Sequence, residues 1–114
     1  MSPLDPEACG RSDAALVRAF DLLGRRWTGV VLGTLSGGPT GFRVLARSVE
    51  GISDSVLSDR LAALTNAGLV SRTVDEGPPV SVAYELTDAG RALLPALEQI
   101  SRWADEHLPA AAQA

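Results

Sequence analysis

The 114-residue sequence has no lysine, one cysteine and one histidine. A single cysteine excludes an intrachain disulfide framework, and one cysteine with one histidine cannot furnish a structural zinc site. Without lysine, arginine carries all ten positive charges; a GC-rich coding bias accounts for that more readily than selection for bidentate phosphate contacts. No apolar run approaches the ~20 residues of a membrane span, and no basic N-terminal stretch leads into an apolar one, so a cytoplasmic protein without a membrane partner is expected. Gly37-Gly38-Pro39-Thr40-Gly41 lacks the lysine and the preceding strand of a phosphate loop. Paired metal ligands and a Ser/His/Asp arrangement are missing too, so neither an enzyme nor a bound cofactor or metal is expected. There is no internal repeat, and low complexity is confined to the Ala-rich end 110–114.

What remains is one domain's worth of chain, able to bury roughly 65% of its unfolded surface. Residues 1–10, with Pro3, Pro6 and acids, read as a flexible tail; 11–108 form the domain, and 109–114 a second tail. Ser12 is placed to cap a helix running to Leu23, with Leu16, Ala19, Phe20 and Leu23 on one face and Gly24 ending it. After Arg25-Arg26, the nearly all-apolar set Trp27, Val30, Val31, Leu32 and Leu35 predicts a central, most buried helix. Ser36-Gly37-Gly38-Pro39 breaks it.

Phe42, Leu45, Ala46 and Val49 recur at i, i+3, i+4, i+7, the period of an amphipathic helix. The break Glu50-Gly51-Ile52 follows, and Ser53 offers a hydroxyl cap to another helix with Val56, Leu57, Leu61 and Leu64 on its buried side. Gly68 closes that helix as a left-handed residue. Leu69–Val74 and Val80–Leu86 read as strands joined through Gly77-Pro78-Pro79. Two short helices followed by a hairpin make a winged helix-turn-helix, the layout that reads DNA. Thr87 then caps a long helix to about Leu108, in which Pro95 predicts a kink. Leu93, Leu97, Ile100 and Ala104 follow the alternating spacing of a helix-pairing seam. With Trp103 they would form a large apolar patch, better covered by a partner chain than left in water. The fold expected is mainly α with a small β-hairpin wing, extended by N- and C-terminal dimerisation helices.

A net charge of −4 sits awkwardly with DNA, but its distribution does not. Between Arg25 and Arg72 six arginines face three acids, leaving +3, and the rest of the chain carries −7. Such segregation aims one face at phosphates. On the second motif helix Asp54, Ser55, Ser58, Asp59 and Ala62 point away from the apolar side. Serine can donate to or accept from base edges, whereas a carboxylate only accepts, for instance from cytosine N4. Asp54 is read first as favouring the helix N-terminus through the dipole. Arg43 and Arg47, at i and i+4 on the preceding helix, are candidate phosphate anchors, as is Arg72 beside the wing. Arg60 either reaches a phosphate or purine or forms an internal ion pair near Asp59 or Glu50. Trp27 and Trp103 lie on apolar faces and read as packing. His107 reads as a surface residue.

In combination, Cys9, Gly24-Arg25-Arg26-Trp27, Gly51-Ile52-Ser53 with Leu57 and Arg60-Leu61, Gly68-Leu69-Val70-Ser71-Arg72 and Tyr84-Glu85-Leu86-Thr87-Asp88-Ala89-Gly90 resemble the HxlR-type winged helix-turn-helix regulators of bacteria, over about residues 9–105. The resemblance implies a homodimeric transcription factor on double-stranded DNA, paired through its first and last helices, here by Leu16, Phe20, Leu93, Leu97, Ile100, Trp103 and Ala104. It places Arg26 and Ser53 with the DNA-binding candidates and implies a redox role for Cys9, which occupies the place of the oxidant-sensing cysteine of some members. Three departures stand out. Arg26 replaces the usual lysine, Gly41-Phe42-Arg43 moves the motif's first arginine, and Ser81-Val82-Ala83-Tyr84 removes charges from the wing, whose tip carries Asp75 and Glu76. Two readings stay open: a dimeric regulator on a pseudo-palindromic operator, with room for a small-molecule effector between the dimer helices, and a winged-helix module that binds proteins instead of DNA. Charge segregation favours the first; Asp54, Asp59 and the acidic wing favour the second.

Overall fold

The computed structural model describes residues 6–108 and 110, with side chains from Asp13 onward. Five helices and three strands follow one another: α1 (Pro6–Leu23), α2 (Thr28–Thr34) continued by a 3-10 turn (Leu35–Gly37), β1 (Thr40–Gly41), α3 (Phe42–Ser48), α4 (Asp54–Asn66), β2 (Val70–Asp75), β3 (Ser81–Leu86) and α5 (Asp88–His107). No helix among the described residues is long and apolar enough to cross a membrane.

Among the described residues the core is one cluster, to which α2 with its 3-10 turn, α3 and the residue after it, α4, β2 and β3 contribute. Val31, Leu32 and Leu35 meet Leu45 and Val49, then Leu57, Leu61 and Leu64, and finally Val70 and Leu86, each at most 3% exposed. The helical members are the apolar positions of the helical repeats, joined by Val70 and Leu86 from the strands, and the helices form because packing pays back what segments of seven residues could not hold alone. The expected caps are in place. The Ser53 hydroxyl accepts from the Val56 amide at 3.2 Å, the Thr87 hydroxyl from the Gly90 amide at 3.2 Å, and Gly68 leaves α4 at φ +82°, a conformation costly for a residue with Cβ.

The structure differs from expectation in four places. α1 starts at Pro6, so Ser12 lies inside the helix and 6–10 leave the expected tail. Proline suits a first turn, where its missing N–H would have no partner. Val30 on α2 is half exposed, because one side of α2 faces an open groove of ≈ 880 Å³ along α5, lined by Gly29, Val30, Gly33, Leu97 and Ile100 among others. The wing is a three-stranded sheet, order β1-β3-β2, with Thr40 opposite Tyr84 and Val70 opposite Leu86. The apolar seam of α5 is divided: Leu93 and Leu97 pack on the chain's own core, while Ile100 and Trp103 are exposed. Leu16, Val17 and Phe20 on α1 are exposed as well; among its described side chains, Leu22 and Leu23 of the last turn reach the core.

Candidate nucleic-acid interface

α3 and α4 are joined through Gly51, whose φ of +92° makes the sharp turn of the motif. The Trp27 ring covers that turn: a Cβ on Gly51 would stand 3.4 Å from Trp27 Cη2. Trp27 itself is left-handed at φ +81°, which costs a side-chain-bearing residue about 1–2 kcal/mol and persists only where the surroundings demand it. The Arg26 guanidinium lies over the same ring, 4.8 Å from its centroid.

With Leu57, Leu61 and Leu64 turned inward, α4 presents Asp54, Ser55, Ser58, Asp59 and Ala62 to solvent. Ser53 spends its hydroxyl on the cap and lies 3.4 Å from the Ser55 hydroxyl, so it acts first on the helix terminus. Ser55 and Ser58 are the exposed hydroxyls of the outward face.

Both acids of that face are paired. Arg43 Nη2 donates to Asp54 Oδ2 at 2.6 Å, with both side chains 63% exposed, and Arg43 also lies over the Phe42 ring. Asp59 Oδ2 accepts from Arg60 Nη1 at 2.5 Å and stands 3.6 Å from Arg25 Nη1. Exposed pairs of this kind contribute little stability, about 0–1 kcal/mol. Their effect here is on the field: neither carboxylate meets an incoming phosphate as a bare charge, which removes much of the objection that Asp54 and Asp59 raised. Asp54 thus has a cation beside it as well as the helix dipole.

The structure places Arg60 against its own chain. Its side chain is only 16% exposed, and its Nε donates to the Arg26 carbonyl at 2.9 Å. It bridges α4 to the turn before α2 instead of extending outward. Arg47, in the last turn of α3, and Arg72, on β2 across from Tyr84, are exposed and form no ion pair among the described residues. The motif thus brings Arg43, Arg47, Ser55 and Ser58 onto neighbouring exposed surfaces of α3 and α4, with Arg72 apart on the sheet. Sequence reasoning missed Arg25, which lies in the turn between α1 and α2 and whose acidic partner, Asp59, lies on α4. The Cys9 side chain lies outside the described residues, although its backbone belongs to α1.

The family model of HxlR-like helix-turn-helix proteins matches residues 22–112. The chain is 38% identical over 100 residues to YvaP, an HTH-type transcriptional regulator of Bacillus subtilis (strain 168), covering 88% of this chain and 89% of the relative. The HTH-type transcriptional regulator YodB of the same organism is 38% identical over 88 residues, 77% of this chain and 79% of the relative. The reduced form of YodB superimposes with a TM-score of 0.76 at 35% identity, covering 83% of this chain and 93% of that one. YodB is also solved diamide-treated (TM-score 0.69, 37% identity, 79% and 89% covered) and quinone-bound (0.71, 33%, 82% and 98%). Motif, packing and relatives agree: the chain belongs to the HxlR-like helix-turn-helix family and is a DNA-binding transcriptional regulator.

Proposed function

We propose that the protein works as a homodimer on a pseudo-palindromic operator in the cytoplasm, binding without chemical turnover. Each protomer would lay α4 in the major groove of one half-site, the half-sites being about 34–36 Å apart. Ser55 and Ser58 then face base edges, while Arg47, Arg43 and Arg72 contact phosphates. The observation that carries this reading is the outward face of α4, polar apart from the small Ala62, with its two acids already paired to arginine. Pairing of protomers is supported by Leu16, Val17 and Phe20 on α1 and Ile100 and Trp103 on α5, too much exposed apolar surface for one small chain to leave in water. The groove between α2 and α5 offers such an α1 a place to lie.

A mobility-shift assay on DNA flanking the protein's own gene, titrated with salt, tests the reading. Binding should be specific, should fall as salt rises and should involve two chains per duplex. Absence of salt-dependent binding at low salt would return the protein-binding alternative.

The quinone-bound and diamide-treated forms of YodB support an effector at Cys9 here. Two Cys9 thiols from two copies would give two electrons and two protons to an oxidant and form one S–S bond, or one thiolate would add to a quinone carbon, breaking the C=C π bond and moving its electron pair to the carbonyl oxygen, which takes a proton from water. Cys9→Ser should bind DNA and lose the response; an identical response from both proteins would dismiss Cys9.

A further inference from the structure

The four residues between α1 and α2, Gly24 to Trp27, touch the DNA-reading motif at two separate places. Trp27 lies on the α3–α4 turn at Gly51, and its left-handed backbone shows how tightly that seat is held. Arg25 and Arg26 meet α4 itself: the Arg26 carbonyl accepts from Arg60 Nε, and Arg25 shares the Asp59 carboxylate with Arg60. The planar guanidinium of Arg60 therefore donates in two fixed directions, one along α4 to Asp59 and one across to the turn. At 16% exposure it is shielded where Asp59, at 60%, is not.

We propose that Arg60, with Asp59 and Arg25, is a positioning unit for DNA reading that fixes the rotation of α4 relative to the α1–α2 turn, and that Arg60 does not contact DNA. This rests on the reading of α4 as the groove-facing helix. Among the described side chains α1 reaches the core through Leu22 and Leu23 of its last turn, so the turn that follows is where the angle between the pairing helix and α4 is set. Two copies of α4 match two half-sites only if that angle is the same in both protomers. A guanidinium spanning turn and helix holds it, and a misalignment of one helix weakens base contacts while phosphate attraction persists.

The test compares an operator duplex with a scrambled duplex of equal length, by fluorescence anisotropy over a salt series, at a temperature where each variant is folded by circular dichroism. Arg60→Gln should lower operator affinity about tenfold or more, with scrambled-duplex affinity and the slope of log K against log salt nearly unchanged. Arg60→Lys keeps the charge but loses the fork, and should also lose most of the operator preference. A direct phosphate contact predicts instead that both duplexes weaken together and the slope flattens by about 2 units per dimer, which would overturn the proposal. A role confined to stability predicts a lower melting temperature with the operator-to-scrambled ratio intact, which would overturn it too. Should Arg60→Gln not fold, Asp59→Asn probes the same link from an exposed position. It should raise scrambled-duplex affinity by removing a negative charge and lower the operator-to-scrambled ratio about threefold; an unchanged or higher ratio contradicts the proposal. If Ser55→Ala and Ser58→Ala also leave operator binding untouched, the reading of α4 itself has failed; if they weaken it while Arg60→Gln and Asp59→Asn do not shift the ratio, only the positioning role falls.

Discussion

α4 and α5 start alike, each capped by a hydroxyl side chain and each turning leucines onto the same core, yet their outward faces are of opposite kinds. α4 shows water two serines and two carboxylates, each acid paired with an arginine. The far half of α5 shows Ile100 and Trp103, and α1 adds Leu16, Val17 and Phe20. A polar outward face is complete as it stands and can receive a charged, hydrated ligand. An apolar one is half of a contact, since each Å² of it left in water forgoes about 25 cal/mol. The proposed function divides the labour within the chain accordingly: the short motif reads DNA, and the long helices flanking it would assemble two motifs.

The largest effect should come from the inward face that the two helices share. Leu61→Ala removes a fully buried side chain and should lower unfolding free energy by about 2–5 kcal/mol in urea denaturation; a loss under 1 kcal/mol would mean that the core closes differently. The next separates assembly from folding. Trp103→Glu should place a carboxylate in the dimer contact, cost association several kcal/mol and give monomers by light scattering with helical circular dichroism retained. Leu97→Glu, by contrast, should destabilise the chain itself, because Leu97 packs on its own core. Equal outcomes for the two would erase the boundary drawn across α5.

On α4, Ser58→Ala should reduce operator affinity by about 1–3 kcal/mol and leave scrambled-duplex binding and oligomeric state unchanged. The smallest effects belong to the phosphate anchors. Arg47→Ala should flatten the salt slope by up to about 2 units per dimer. Arg43→Ala should flatten it less, because Arg43 is held by Asp54 before DNA arrives. A larger change for Arg43 than for Arg47 would place DNA on the other side of α3.

Features written in a few adjacent residues were legible in advance: the caps at Ser53 and Thr87, the left-handed Gly68, the apolar period of α3 and α4. Those are local, and the sequence carries both partners of each. Arg60 was not legible as a bridge, because a long flexible side chain can point either way and the carbonyl that holds it is 34 residues distant. β1 escaped because two residues make a strand only when Tyr84 and Ala83 arrive beside them. The seam of α5 showed which face is apolar, but a period cannot tell whether the chain's own core or a second chain covers it. Ser12 reads as the start of α1 because a hydroxyl there is a cap signal, whereas the helix begins at Pro6, a residue that the prolines and acids around it made look like a tail.

Hydroxyl-radical footprinting of the operator, with bound chains counted by analytical ultracentrifugation, tests the division of labour most directly. Two protected tracts centred about 10–10.5 base pairs apart, with two chains per duplex, are the predicted result. A single tract with one chain per duplex, unchanged when Trp103→Glu replaces the wild type, would contradict it.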